Sequence, residues 1–274
     1  MVDLLIPSLE VVLRTLAADV AYTMSRMQVL ERIEGNPVGV AYRWLDDGAV
    51  ALTARIPAFA RVIGLRAGLE RHIEPLVQWY RAQGVRPTFE AVPGLWSDGL
   101  GRELARHGYY QSGFHAALIG APAPAHPAAA PAGDGAAPAI EVVTTPDAME
   151  GYLDAYVAGW GIPEADHPQF KSNVRPWLHQ PGWTLYLARM DGRPAAAATL
   201  YAHGSTAYLA DAATDPAFRG RGLQQALLRR RMHDAGLAGA DLLCSGAYPL
   251  SASHRNMERV GLQLQFNRAK WTPT

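Results

Sequence analysis

The sequence predicts an α/β protein made of two tandem halves, each a mixed twisted sheet with helices on both faces. Three observations carry this. A tract rich in proline and alanine, Ala121 to Pro138, divides the 274 residues into halves of similar size. Repeated proline disfavours both helix and sheet pairing, so the tract reads as a semi-stiff linker. Strand-like and helix-like segments alternate on both sides of it. The halves also echo each other: helix, glycine stop and strand around Gly84 and Gly108 recur around Gly236 and Gly261, offset by about 152 residues. The expected domains are 1–120, a linker over 121–138, and 139–274.

In the first half, a helix is expected from Ser8, a capping residue, to about Arg26. Strands are expected at 28–33, 38–42 and 49–53, where β-branched and apolar residues gather. A helix over 69–81 stops before Gly84, a strand lies near Thr88, a helix covers 98–106, and a last strand includes Phe114 to Leu118. The second half starts with a strand at 140–144, followed by helical segments over 146–158 and 168–178. Strands then cover 183–188, 195–201 and 206–213. After these come a helix over 223–235, a strand over 240–247, a helix, and a final strand over 265–271.

Composition narrows the classes. Hydrophobic residues make up 49%, enough for two cores, and charged residues only 18%. The formal net charge is zero, which argues against a generally basic surface for nucleic acid. The single cysteine, Cys244, excludes an intramolecular disulfide and suits a reducing compartment. It lies in the apolar run Leu242-Leu243-Cys244 and reads as a buried thiol. The first ten residues lack a basic leader. No apolar run approaches the roughly 20 residues that span a bilayer. The expectation is a soluble, cytoplasmic protein with no membrane partner.

The most informative stretch is Phe218-Arg219-Gly220-Arg221-Gly222-Leu223-Gln224, between a strand and a helix. Glycines there let a ligand approach the backbone. The helix start offers unpaired N–H groups and the positive end of a dipole. Together they make a site for a phosphate or pyrophosphate, with Arg219 and Arg221 adding charge. An ordinary glycine-containing connection is the plain alternative. The Walker pattern is absent, and the dinucleotide fingerprint fails at Ala226, with Asp241 an imperfect ribose-binding acid.

This stretch resembles the acetyl-CoA loop of the GNAT acyltransferase superfamily, whose pattern is Arg/Gln-x-x-Gly-x-Gly/Ala. Here it reads Arg219-x-x-Gly222-x-Gln224, with Gln224 departing from the small residue. The resemblance runs in order through about Ile140 to Trp271. It implies two tandem GNAT-like domains, the first degenerate, because Glu70 falls where Gly222 sits in the second half. It also implies acetyl-CoA as co-substrate, direct transfer of the acetyl group to an amine, and no metal. The acceptor would be a small molecule or a peptide, with the first half completing the pocket or a homodimer.

The resemblance places the pantetheine arm on main-chain groups of Ala212, Ala213 and Thr214. Small side chains there would equally suit tight packing. With Gly220 and Leu223 the loop completes the pyrophosphate cradle. In the family's second motif an early Asn corresponds to Leu250 and the thiolate-protonating Tyr to Met257, both departures. Ser253 and Asn256 are candidate cofactor contacts instead, with capping or a solvated face as their plain readings. Tyr248 is a candidate acid and Asp211 a candidate base. Strand-end packing and turn fixing are the alternatives. His254 reads as a surface histidine and His203 as hairpin chemistry. Trp160, Phe170 and Trp177, with His167, Glu164 and Asp166 nearby, are candidate walls for a cationic amine. A non-catalytic acyl-CoA-binding regulatory module is the alternative function.

Overall fold

The computed structural model describes residues 8–56, 59–122 and 138–274. Most of the expected linker, and the leader reading of the first residues, lie outside the described residues. Two compact units result. The N-terminal unit takes residues up to Ala117, plus 247–249 and 264–274, and the C-terminal unit takes 118–246 and 250–263. The end of the chain therefore packs with the N-terminal unit, whereas the linker-based division assigns all of 139–274 to the second domain.

In the N-terminal unit, helix α1 (Leu9–Glu31) starts at Ser8, whose hydroxyl accepts from Val11 N at 3.2 Å. It runs through Gln28 to Leu30, where the sequence suggests a strand. The reason is packing: Leu16, Val20, Met24, Met27 and Leu30 form one helical stripe buried against the sheet. That burial outweighs the local β preference. The strands are β1 (Ala41–Trp44), β2 (Val50–Thr53), β3 (Arg61–Ile63), β4 (Thr88–Ala91), β5 (Tyr109–Gly120) and, at the chain end, β11 (Gln263–Pro273). Their order is β1-β2-β3-β4-β11-β5. β3 is too short to show alternation, which is why sequence periodicity misses it.

Alternate residues of β2 and the residue before it divide the two faces. Val50 and Leu52 pack under α1. Ala49 and Ala51 pack under helices α2 (Ile73–Ala82) and α3 (Asp98–Arg106). β11 pairs antiparallel with β4, Ala269 opposite Ala91 and Trp271 opposite Phe89. A buried ionic cluster fastens it. Arg268 donates to Asp19 of α1 and, at 2.8 Å, to Glu90 of β4. Arg61 donates to Glu90 at 3.1 Å and to Thr23 at 2.9 Å. Burial alone would raise the Glu90 carboxyl, but the Arg61 and Arg268 guanidiniums outweigh it and hold it at about 2.

The C-terminal unit contains β6 (Ala139–Val142), α4 (Pro146–Trp160), α5 (His167–Val174), β7 (Trp183–Met190), β8 (Arg193–His203) and β9 (Thr206–Thr214). After them come α6 (Leu223–Leu237), β10 (Leu242–Ala247) and α7 (Ala252–Arg259). Strand order is β10-β9-β8-β7-β6. β6 through β9 are antiparallel neighbours, and β10 joins β9 in parallel. The parallel pair needs a crossover, and α6 supplies it. Again the faces alternate. Leu187 lies against Gly151 of α4, while the Tyr186 hydroxyl donates to Asp234 of α6 at 2.9 Å.

Candidate active site

The site begins in β9. Its pairing with β8 slips: Thr199 faces Ala210, but Ala197 faces Ala213, so Asp211 and Ala212 together oppose Ala198. This is a β-bulge, and Asp211 takes φ 45° to make it. Aspartate tolerates that left-handed geometry better than most residues. On its other edge β9 is paired from Thr206 opposite Leu242 to Tyr208 opposite Cys244. Ser245 then donates to the Leu209 carbonyl at 2.7 Å. β9 runs on through the bulge to Thr214. Cys244 is buried, its thiol directed at the Ala207 carbonyl at 3.7 Å, as a structural thiol should be.

Helix α4 supports this segment closely. A Cβ at Gly159 would come within 2.7 Å of both Ala213 Cβ and Thr214 N, so only glycine fits. After β9, Asp215 turns the chain, its Oδ1 accepting from Ala217 N at 2.8 Å. Phe218 is buried as an anchor, with the Arg193 and Arg221 guanidiniums 5.5 and 5.6 Å from its ring centre. Arg219 donates to the carbonyls of Thr214 at 3.2 Å and Gly159 at 3.1 Å. It ties the loop to the ends of β9 and α4.

Gly220 and Gly222 have φ of 77° and 75°, and a Cβ at either would meet nothing within 4 Å. They are glycines for conformation, not for crowding within the protein. Gly222 is the N-cap of α6, and no side chain caps the helix. Ser8, Ser97, Thr145 and Ser251 cap α1, α3, α4 and α7, whereas α2 and α5, which continue from 3-10 turns, also lack a side-chain cap. The first N–H groups of α6 are left for another acceptor.

Gln224 turns sideways. Its Nε2 donates to Ser253 Oγ at 2.9 Å, and its Oε1 accepts from the Asn256 amide at 2.7 Å. Gln225 donates to Asn256 Oδ1 at 3.3 Å and Arg259 to the same oxygen at 2.8 Å. The structure thus brings Gln224, Ser253 and Asn256 together, as a clasp between α6 and α7. Asn256 has its amide partners in the protein.

The other expectations fare differently. Tyr248 falls in the N-terminal unit, its ring 5.4 Å from His115 and under Lys270 Nζ at 5.5 Å. It is not in the unit that holds the loop. His254 is no surface histidine: it is 6% exposed, and its Nδ1 accepts from Leu250 N at 3.0 Å. Trp177 is not a pocket wall but core, 3% exposed between Tyr156 and Trp183 at 5.7 and 4.9 Å. Trp160 at the end of α4 is 51% exposed, and Phe170 on α5 is half-buried. His167 bonds the Ile162 carbonyl at 2.8 Å. Met257 is buried.

Sequence reasoning missed Arg231. Its side chain is wholly buried and bonds three main-chain carbonyls, those of Leu227, Thr199 and Ala210. One signal was present: Leu223, Leu227 and Arg231 fall in one i, i+4 row of α6, the row that faces the sheet.

In the N-terminal unit Glu70, which the offset of about 152 residues sets against Gly222, is bonded within the protein. Ser97 donates to Glu70 Oε1 at 2.6 Å. That bond, with main-chain N–H groups of Glu70 and Gly68, holds the carboxyl below its ordinary range. Among the described residues no cluster of His, Cys, Asp and Glu could hold a metal, and no helix is long and apolar enough to cross a membrane.

Residues 129–249 match the acetyltransferase (GNAT) domain family. That stretch, less than half of the chain, holds β6 to β10 and the loop before α6. The fold of the chain is similar to that of a GCN5-related N-acetyltransferase from Kribbella flavida (18% identity, 93% of this chain and 95% of that one, TM-score 0.63). A GCN5-related N-acetyltransferase from Sphaerobacter thermophilus is similar too (17% identity, 96% and 90% coverage, TM-score 0.58). So is a tandem GNAT protein from the clavulanic acid biosynthesis pathway, solved without AcCoA (13% identity, 98% and 96% coverage, TM-score 0.59). The likeness in fold runs along nearly the whole chain. No curated protein matches the sequence.

Proposed function

We propose that the C-terminal unit binds acetyl-CoA and transfers its acetyl group to an amine by direct attack, and that the N-terminal unit is a degenerate GNAT-like domain without a cofactor loop. The observation that carries the reading is the uncapped N-terminus of α6 behind Gly220 and Gly222. A diphosphate would accept from the first amides of α6, at Leu223 and Gln224. Arg219 braces the loop, while Arg221 supplies charge beside it. Ser253 keeps a hydroxyl hydrogen to offer, and Asn256 acts through the clasp. The pantetheine arm would run along Ala212, Ala213 and Thr214, past Tyr208, where the register of β9 with β10 ends.

The chemistry asks little. A neutral amine attacks the thioester carbon, main-chain N–H groups steady the oxyanion, and the carbon–sulfur bond breaks as the tetrahedral adduct collapses. Asp211, directly or through water, takes the proton the amine loses, and the CoA thiolate leaves. Trp160 and Phe170 are the aromatic side chains left for the acceptor, a small amine or a peptide. The setting proposed is the cytoplasm, in keeping with the lone buried thiol.

Isothermal titration with acetyl-CoA, coupled to thiol release across a panel of amines, tests the reading. Binding with turnover supports it, and no binding overturns it. The buried Met257, where the family resemblance calls for a proton-donating Tyr, favours a second reading as a non-catalytic acyl-CoA-binding module. Binding with no turnover across the panel would select that reading.

A further inference from the structure

We propose that Arg231 is a positioning residue for this site: its guanidinium braces the β9 bulge from beneath and thereby fixes the main-chain groups of Asp211 to Thr214. The inference rests on the acyl-CoA reading of this unit and deepens it.

Arg231 is among the largest fully buried side chains of the protein, 1% exposed, in the sheet-facing row of α6. Its Nε donates to the Leu227 carbonyl at 3.1 Å, and its Nη1 to the carbonyls of Thr199 at 2.8 Å and Ala210 at 3.0 Å. Thr199 and Ala210 face each other as the last regular pair before the register slips. A bulge breaks the ladder at that point, and carbonyls beside it need other donors. Arg231 provides them to both strands from one nitrogen.

Burial of this cation is costly, and it pulls the guanidinium down to about 10, still charged at neutral pH. Packing alone does not require an arginine: Leu223 and Leu227 fill the same row. What an aliphatic residue cannot do is satisfy two carbonyls at the slip. The segment is then held from both faces. Gly159 of α4 lies against Ala213 and Thr214, and Arg231 of α6 holds Ala210. Thr199 is itself held by the Tyr152 hydroxyl at 2.9 Å. Such support keeps a binding segment within the narrow geometry that a reaction needs.

The test compares wild type with Arg231→Met, which keeps volume, and Arg231→Lys, which keeps charge but loses the fork. Three quantities are read: melting temperature, acetyl-CoA affinity by titration, and hydrogen exchange of amides 211–214. The expected result is an affinity loss of about tenfold or more in R231M, less in R231K, with faster exchange at those amides. A merely structural role would lower the melting temperature and leave the affinity of the folded variants within about twofold of wild type. That outcome overturns the inference. If R231M does not fold, R231K decides by the same criteria. Failure of wild type to bind acetyl-CoA would instead overturn the parent reading, and this inference with it.

Discussion

Asn256 and Gln224 lock α7 to the first turn of α6: the Asn256 amide donates to Gln224 Oε1 at 2.7 Å. The glutamine stands where the family pattern has a small residue, and the clasp explains how it fits. Its side chain is drawn toward Ser253 and Asn256, away from the open face of the helix. Gln224→Ala should cost about 1 kcal/mol of stability, the usual worth of such bonds. Acetyl-CoA affinity should fall by less than about fivefold, because the main-chain donors remain. Denaturant unfolding and titration measure the two.

Gly222→Ala should separate stability from binding. A Cβ there meets nothing within 4 Å, so the structural cost comes from φ 75° alone, about 1–2 kcal/mol. The added methyl would stand where a phosphate approaches the amides. Affinity for acetyl-CoA should therefore drop by more than about tenfold, beyond what the stability loss explains. Equal affinity in a folded variant would count against the loop as the cradle.

Arg219→Lys should behave almost as badly as Arg219→Ala. The guanidinium spans two carbonyls, Thr214 at 3.2 Å and Gly159 at 3.1 Å, from two different nitrogens. An ammonium cannot reproduce that fork. Both variants should weaken acetyl-CoA binding several-fold and raise protease cleavage within 215–222. Full rescue by lysine would show that charge alone matters.

Acid should unfold the N-terminal unit in a predictable order. Burial, and then the nearby Arg268 charge, push His115 down to about 4 against the pull of Glu90 and Asp19. The neutral imidazole therefore favours the folded state. Its contribution is complete above the ordinary value of 6.5 and is lost as pH falls toward about 4. Glu90, held at about 2, contributes above its ordinary 4.5 and loses that contribution at lower pH still. Denaturant midpoints measured between pH 7 and 4 should decline in wild type, and His115→Gln should flatten that decline.

Much of this protein was legible in its residues. The turn from Arg219 to Gly222 between β9 and α6 was legible because its glycines and their spacing lie close together in the chain. The helices α4 and α6 and the strands β7 to β9 followed from periodicity. Tertiary contacts overrode it at residues 28–31, where the stripe Met24, Met27, Leu30 finds the sheet and keeps the helix going. They also reassigned Trp177 and His254 to the interior.

What the sequence by itself determined is most of the order of elements and the place of the glycine loop, since each depends on residues close together in the chain. Only the tertiary structure decided which unit owns the last strand, which side chains Gln224 would hold, and that Arg231 lies under the bulge. Those facts arise between residues far apart, such as Arg268 and Asp19 or Arg231 and Thr199. A buried charge chooses its partners only when folding removes the water around it.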